Sequence, residues 1–303
     1  MERAMRDDRG FTIIELVIAM AILGVLTAGI FSLYNTQHKV THIEADVVDV
    51  QQNQRLAVES ITRDLRMAGF ALTGGEFPVA LIQNNSGVSG SDIVVLNTAS
   101  AAGTVARINA DTTVNVSSGS AIAFTIASAD EAAILTPGDA VRVINPGDKS
   151  QPAASAFVVS AVDSSVPSVT ITPSSSAGAT DFKRGFLIVK TGASAPDTYP
   201  NTIRYCLGPS AGCAPDVACP AGNCLMRIVN GSADEGSIAA SNISDFQLSY
   251  VLDNGSVTSA PADASQIRDI KIALNAQTEA TKGLSNGVAK VREMNASARL
   301  RNR

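Results

Sequence analysis

The sequence predicts an α+β fold, one long N-terminal α-helix followed by a mainly antiparallel β head. Three observations carry that expectation. An apolar run from Phe11 to Tyr34 contains no Lys, Arg, His, Asp or Pro, and its one ionised residue is Glu15. A stripe at 3–4 spacing then continues through Val40, Ile43, Val47, Val50, Gln54, Val58, Ile61, Leu65 and Ala68. From Val79 onward, short runs such as VALIQ, DIVVLN, AVRVI, TIRYCL and FQLSYVL alternate with turn signals such as TPGD, NPGD and DNGS.

The first element is read as a membrane helix. Its 24 residues, Phe11 to Tyr34, span about 36 Å at the α-helical rise, enough for the hydrocarbon core. Arg3, Arg6 and Arg9 precede the run, and Glu44, Asp46 and Asp49 follow it. The positive-inside rule therefore places residues 1–10 in the cytoplasm and everything after about residue 35 outside. In a secretory signal the small-residue junction follows the apolar segment; here the junction Gly10-Phe11 stands before it. Cutting at Gly10 would remove a charged leader and keep the helix.

Glu15 needs a physical reason. A carboxylate in hydrocarbon costs at least a few kcal/mol, so it needs a partner or a route to the interface. One reading is a plain anchor whose Glu15 snorkels to the cytoplasmic side. The other uses cleavage after Gly10, which creates an α-amine four residues upstream, protonated at neutral pH with an ordinary pKa of about 7.7–8. Within one chain the helix rise separates amine and carboxylate by about 6 Å. An axially shifted neighbour could place its amine beside the carboxylate. Such a head-to-tail contact does not close, and generates a helical filament.

The residues GFTIIE and the apolar helix behind them resemble the type IV prepilin motif shared by pilins and type II secretion pseudopilins. The resemblance implies cleavage by a prepilin peptidase between Gly10 and Phe11, N-methylation of Phe11, and a filament-assembly role for Glu15. The segment QRLAVESITRDLRMAGF, Gln54 to Phe70, is similar to the helix end of PilW-type minor pilins and, more distantly, of J-type pseudopilins. ISDFQLSYVLDNG, IRDIKIALNA and the closing VREMNASARLRNR resemble the last strands of the same proteins. These matches cover about 110 residues, and the middle, roughly 72–200, carries no likeness. Many major pilins have a proline in the membrane half of the helix; none occurs here between Phe11 and Phe77. That departure leans towards a minor subunit.

The resemblance thus implies a minor pilin that takes part in type IV pilus assembly, priming or a tip complex. Alternatives are a minor pseudopilin of type II secretion and a pilus-tip adhesin or DNA-binding module. Implied partners are prepilin peptidase, other minor and major pilins, the inner-membrane assembly platform and membrane lipid. The expected organisation is a leader at 1–10, a transmembrane or filament-core helix at 11–34, a periplasmic helix half at 35–70 and a β-rich head at 71–303. The stretch from Ala99 to Ser176 reads as an inserted subdomain.

Cys206, Cys213, Cys219 and Cys224 fall within nineteen residues and lack the C-x2-C knuckles of common zinc sites. Outside the cytoplasm thiols oxidise, so two disulfides are expected. Of three possible pairings, Cys206–Cys224 with Cys213–Cys219 would staple the loop between two paired strands, TIRYC and CLMRIV. Catalytic motifs are lacking, and no enzyme activity or cofactor is expected. His38 and His42, four apart, could share a helix face, but with no third ligand in view they read as solvated residues. Asp139, Asp148, Asp253 and Asn254 sit in turns, where their side chains need no calcium. The chain carries a formal charge of −5, 4% aromatic residues and no Trp, so no nucleic-acid partner is expected. Arg292, Arg299, Arg301 and Arg303 are the one candidate basic patch.

Overall fold

The computed structural model describes residues 12–100, 104–153, 156–193, 197–209, 213, 219, 223–231, 238–278 and 291–302. Two compact units divide the chain: residues 1–49 with 278–290, and residues 50–277 with 291–303.

A single helix, α1 (Ile13–Met67), runs through 55 residues. Its run of good helix formers carries no proline, so nothing interrupts the hydrogen-bond ladder. In the first unit its apolar side chains are exposed, Ile13 by 84% and Leu23 by 64%. That stretch is long and apolar enough to cross a membrane.

In the second unit α1 buries Val50, Gln54, Ala57, Ile61, Asp64 and Leu65, one face at 3–4 spacing. The stripe in the sequence has Val58 at the position that Ala57 takes in the structure. Val58 is only half-buried and packs against the core as a partly buried neighbour. Gln54 belongs to the buried face because its amide is used: Nε2 donates to the Leu274 and Arg292 carbonyls at 3.0 and 2.7 Å.

Past α1 come β1 (Val79–Gln83) and β2 (Ile93–Thr98), and the chain then leaves the sheet. The excursion holds β3 (Val105–Arg107), β4 (Thr112–Val116), β5 (Ile122–Thr125), α2 (Ala129–Ala133), β6 (Ala140–Ile144), β7 (Phe157–Asp163), β8 (Ser168–Pro173), β9 (Gly178–Phe182) and β10 (Leu187–Gly192). It returns as β11 (Asn201–Gly208), followed by β12 (Cys224–Val229), β13 (Ile238–Ser241), β14 (Ile243–Leu252), β15 (Val257–Thr258), β16 (Ile267–Gln277) and β17 (Val291–Arg299).

The main head has two antiparallel sheets, ordered β1-β2-β11-β12-β13 and β15-β14-β16-β17. Both bury their inner faces in one core with α1, including Leu96, Tyr205, Phe246, Tyr250 and Leu274. Strand β11 pairs with β2, Asn201 opposite Thr98, so the chain returns where it left. The excursion is therefore bounded by Thr98 and Asn201, and it runs past the stretch from Ala99 to Ser176 read as an insertion.

Within it a sheet of order β3-β10-β6-β7-β8-β5 carries its own core of Phe124, Phe157, Phe182, Val143, Ile171 and Ile188. Phe124 and Phe182 meet edge to face at 5.0 Å. A bridge between Ile108 and Ile126, just past β3 and β5, joins the two edge strands and closes the sheet on itself. Closure removes the open edges that a six-stranded sheet would otherwise present.

Candidate functional site

The site begins at Thr12, since Gly10 and Phe11 lie outside the described residues. Glu15 does not hang free from the first turn of α1. Its Oε2 accepts from the Thr12 N–H and from the Thr12 hydroxyl, both at 3.0 Å, and the Glu15 N–H donates to Thr12 Oγ1 at 3.3 Å. This is a reciprocal capping box, in which the N-cap and the third helical residue satisfy each other's orphan donors. Its sequence signature, T-x-x-E, stands in TIIE, where the surrounding apolar run masks it. The carboxylate also lies at the end of the helix where the macrodipole favours an anion. Among the described residues Oε1 makes no hydrogen bond. Glu15 is thus held at the helix end with one oxygen committed and one available. Further along the same unit, Val17, Ile18, Ile22, Val25 and Leu26 are each more than half exposed.

Residues 5–31 match the prokaryotic N-terminal methylation motif.

That match, over the first tenth of the chain, supports a type IV pilin-like or pseudopilin-like protein, and the motif in general implies prepilin peptidase processing and assembly among pilins. It points to a structural protein rather than an enzyme. The apolar helix and the motif together fit a membrane-anchored pilin-like protein. No curated protein and no solved structure matches the chain.

In the head of this pilin-like chain, α1 is fastened by a charged cluster rather than by apolar contact alone. Asp64 is buried. Its Oδ2 accepts from the Tyr205 hydroxyl at 2.7 Å and from Arg227 Nε, and Ser60 Oγ lies 3.2 Å from the same hydroxyl. Asp64 can be buried because β11 and β12 deliver a phenol and a guanidinium to it; without partners its charge would not be tolerated there. Burial, with Asp64 beside it, pushes the Tyr205 phenol well above its ordinary pKa, so it remains a donor. Nothing in the local pattern around Asp64 signals this, since both partners lie more than 140 residues away.

The helix then stops at Gly69, whose φ of +76° suits glycine. Its N–H donates to the Asn97 carbonyl at 2.8 Å. Asn302 Nδ2 donates to the Arg66 and Ala68 carbonyls, capping the orphan acceptors of the last turn.

The cysteines are paired differently from the expectation. Cys206 is bonded to Cys213 and Cys219 to Cys224, with Cα separations of 6.0 and 5.6 Å. The expected Cys206–Cys224 bridge fails on register. Cys206 stands opposite Met226 and Cys224 opposite Gly208, which makes the two cysteines diagonal neighbours. Diagonal positions are about 7–8 Å apart, beyond the reach of a disulfide. Each strand cysteine is therefore joined to one in the connecting segment. The sulfurs pack with Ile93, Met226 and Ile228 in a small core of their own.

The remaining candidate residues have local explanations. Asp139 pairs with Lys190 at 2.9 Å, Asp148 accepts from the Ser150 N–H, and Asn254 accepts from the Ser256 N–H. Asp253 donates its N–H to the Gln266 carbonyl within the β14–β16 connection. Arg292 and Arg299 stand at opposite ends of β17, Arg299 opposite Asp269 and Arg292 opposite Ala276, so they form no common patch. Arg301 is exposed, and Arg303 lies outside the described residues.

Proposed function

We propose that this chain is a PilW-like minor pilin that helps to prime or cap a type IV pilus. Residues 1–10 would lie on the cytoplasmic side of the inner membrane and the head in the periplasm, until assembly carries the subunit to the cell surface. Prepilin peptidase would cut between Gly10 and Phe11 and the new amine of Phe11 would be methylated. The subunit would then meet other minor and major pilins at the inner-membrane assembly platform. The observation that supports this most is the methylation motif in register with the Thr12–Glu15 cap on a helix whose apolar face has no cover among the described residues.

The geometry suggests how Glu15 would serve both states. With Oε2 held by Thr12, the carboxylate is satisfied enough to wait in the membrane as a monomer. Its other oxygen can accept from the charged Phe11 amine of an axially shifted neighbour. A charge-assisted hydrogen bond in hydrocarbon is short and strong, and leaving either ion alone there is costly. The contact would therefore favour the assembled state without a new fold. An α1 free of proline supports a minor subunit over a major one.

The test is to express Glu15→Ala in the native host and compare membrane and sheared-filament fractions. Membrane insertion should be unchanged and incorporation should fail; normal incorporation would sink the proposal. Repeating the fractionation in hosts lacking either the pilus platform or a type II secretion platform identifies the machine. Dependence on the secretion platform would assign a pseudopilin instead.

A further inference from the structure

We propose that His38 and His42 form a two-imidazole site for a divalent transition metal, binding Cu2+ most tightly and also Ni2+ and Zn2+. The two residues lie one turn apart on α1, both exposed, with ring centres 4.5 Å apart. Neither ring makes a hydrogen bond or ion pair among the described residues. Tyr34 is the next aromatic neighbour, its ring centre 6.0 Å from that of His38.

Coordination chemistry sets the separation a shared ion would need. A metal–nitrogen bond of about 2.0–2.1 Å puts each ring centre about 3.1 Å from the ion. Two rings at angles between square and tetrahedral are then about 4.4–5.1 Å apart. The observed spacing falls in that interval, which is the separation two rings need to reach one ion. The helix has already fixed the backbone, which removes most of the ordering cost of bringing two ligands together.

Imidazole suits copper, nickel and zinc, and for a nitrogen site the affinity order peaks at Cu2+. With two protein nitrogens on a four-coordinate ion, two positions remain for water or for carboxylates of another chain. The site lies in the unit formed by residues 1–49 and 278–290, just beyond the apolar run. It does not depend on the pilin reading.

The experiment uses the full chain in detergent micelles, carrying a tag without histidine and stripped with a chelator. Cu2+ is titrated and the bound ion examined by electron paramagnetic resonance. One Cu2+ per chain should bind with superhyperfine structure from two nitrogens, and Zn2+ should displace it only in large excess. His38→Ala and His42→Ala should each weaken binding at least tenfold and abolish the two-nitrogen pattern. The double variant His42→Ala with Val40→His keeps two histidines on different helix faces, and should behave like a single-histidine chain. If the wild type binds no more tightly than His38→Ala/His42→Ala, the metal is an adventitious ion only and the proposal is overturned. It is also overturned if the relocated pair binds as well as the native one.

Discussion

Residues 13–34 and residues 50–67 belong to one helix, yet their apolar side chains meet opposite fates. In the first stretch Ile18, Leu23 and Phe31 are all more than half exposed; in the second Ala57, Ile61 and Leu65 are almost wholly buried. Helix propensity does not distinguish them. The second stretch carries one apolar face and leaves Arg55, Glu59 and Arg63 outside, as a helix against a core must. The first is apolar all round, which suits lipid or other helices and no single soluble core. Their polar residues differ in the same way. Glu15 is satisfied within its own turn by Thr12, whereas Asp64 is satisfied by side chains brought from two distant strands. One region leaves its apolar side chains uncovered among the described residues, and the other buries them in its own core.

The largest effect should come from Glu15. Glutamine retains the capping box, since an amide oxygen accepts the Thr12 N–H equally well, but it cannot carry charge. Glu15→Gln should leave helix content in micelles at the wild-type level and reduce filament incorporation at least tenfold, measured by fractionation. Equal incorporation would mean that capping, not charge, is what Glu15 supplies.

Next comes truncation in the buried half. Ile61→Ala should lower head stability by about 2–5 kcal/mol in denaturant titration, through lost burial and a residual cavity. Leu23→Ala, in the exposed half, should leave the same titration unchanged. Asp64→Ala removes the acceptor for Tyr205 and Arg227 and should cost about 2 kcal/mol, less than a fully buried pair because Arg227 retains some access to water. Gly69→Ala should cost about 1–3 kcal/mol through its left-handed backbone, and its new methyl would also collide with the Asn302 carbonyl oxygen.

The smallest effect concerns pH. Burial pushes Asp139 up, but the Lys190 ammonium and the Thr136 N–H outweigh it and hold its carboxyl below the ordinary 3.8. A depressed folded pKa contributes stability that is present above the unfolded value and is lost as pH falls through the folded one. The excursion between Thr98 and Asn201 should therefore keep that contribution from neutral pH down to about pH 4 and lose it below. Asp139→Asn should flatten this acid limb in thermal melts taken across the range.

Much of the molecule is legible in local signals of the chain. The apolar run, the 3–4 stripe and Gly69 mark a long helix, and the alternating β-branched runs mark the strands of the head. The tandem ISDFQLSYVLDNG and IRDIKIALNA correspond to β14 and β16, which pair antiparallel along most of their length. What stays hidden depends on register or on distant partners. Asp64 reads as a surface residue until Tyr205 and Arg227 are in place. The Cys206–Cys224 bridge is ruled out by Cys206 standing opposite Met226, a matter of strand register that spacing alone leaves open. Closure of the six-stranded sheet rests on the single Ile108–Ile126 bridge, with no pattern of its own. The Thr12–Glu15 cap is the exception: its signal is local, yet a glutamate in hydrocarbon points first to a partner outside the chain.

The role proposed for Glu15 turns on what happens at Gly10-Phe11. The most direct measurement is the intact mass, with an N-terminal fragment mass, of the protein extracted from its native membrane. The predicted result is a chain that begins at methylated Phe11. A chain that still carries Met1 to Gly10 in cells with an active prepilin peptidase would contradict it, and Glu15 would then have no amine to meet.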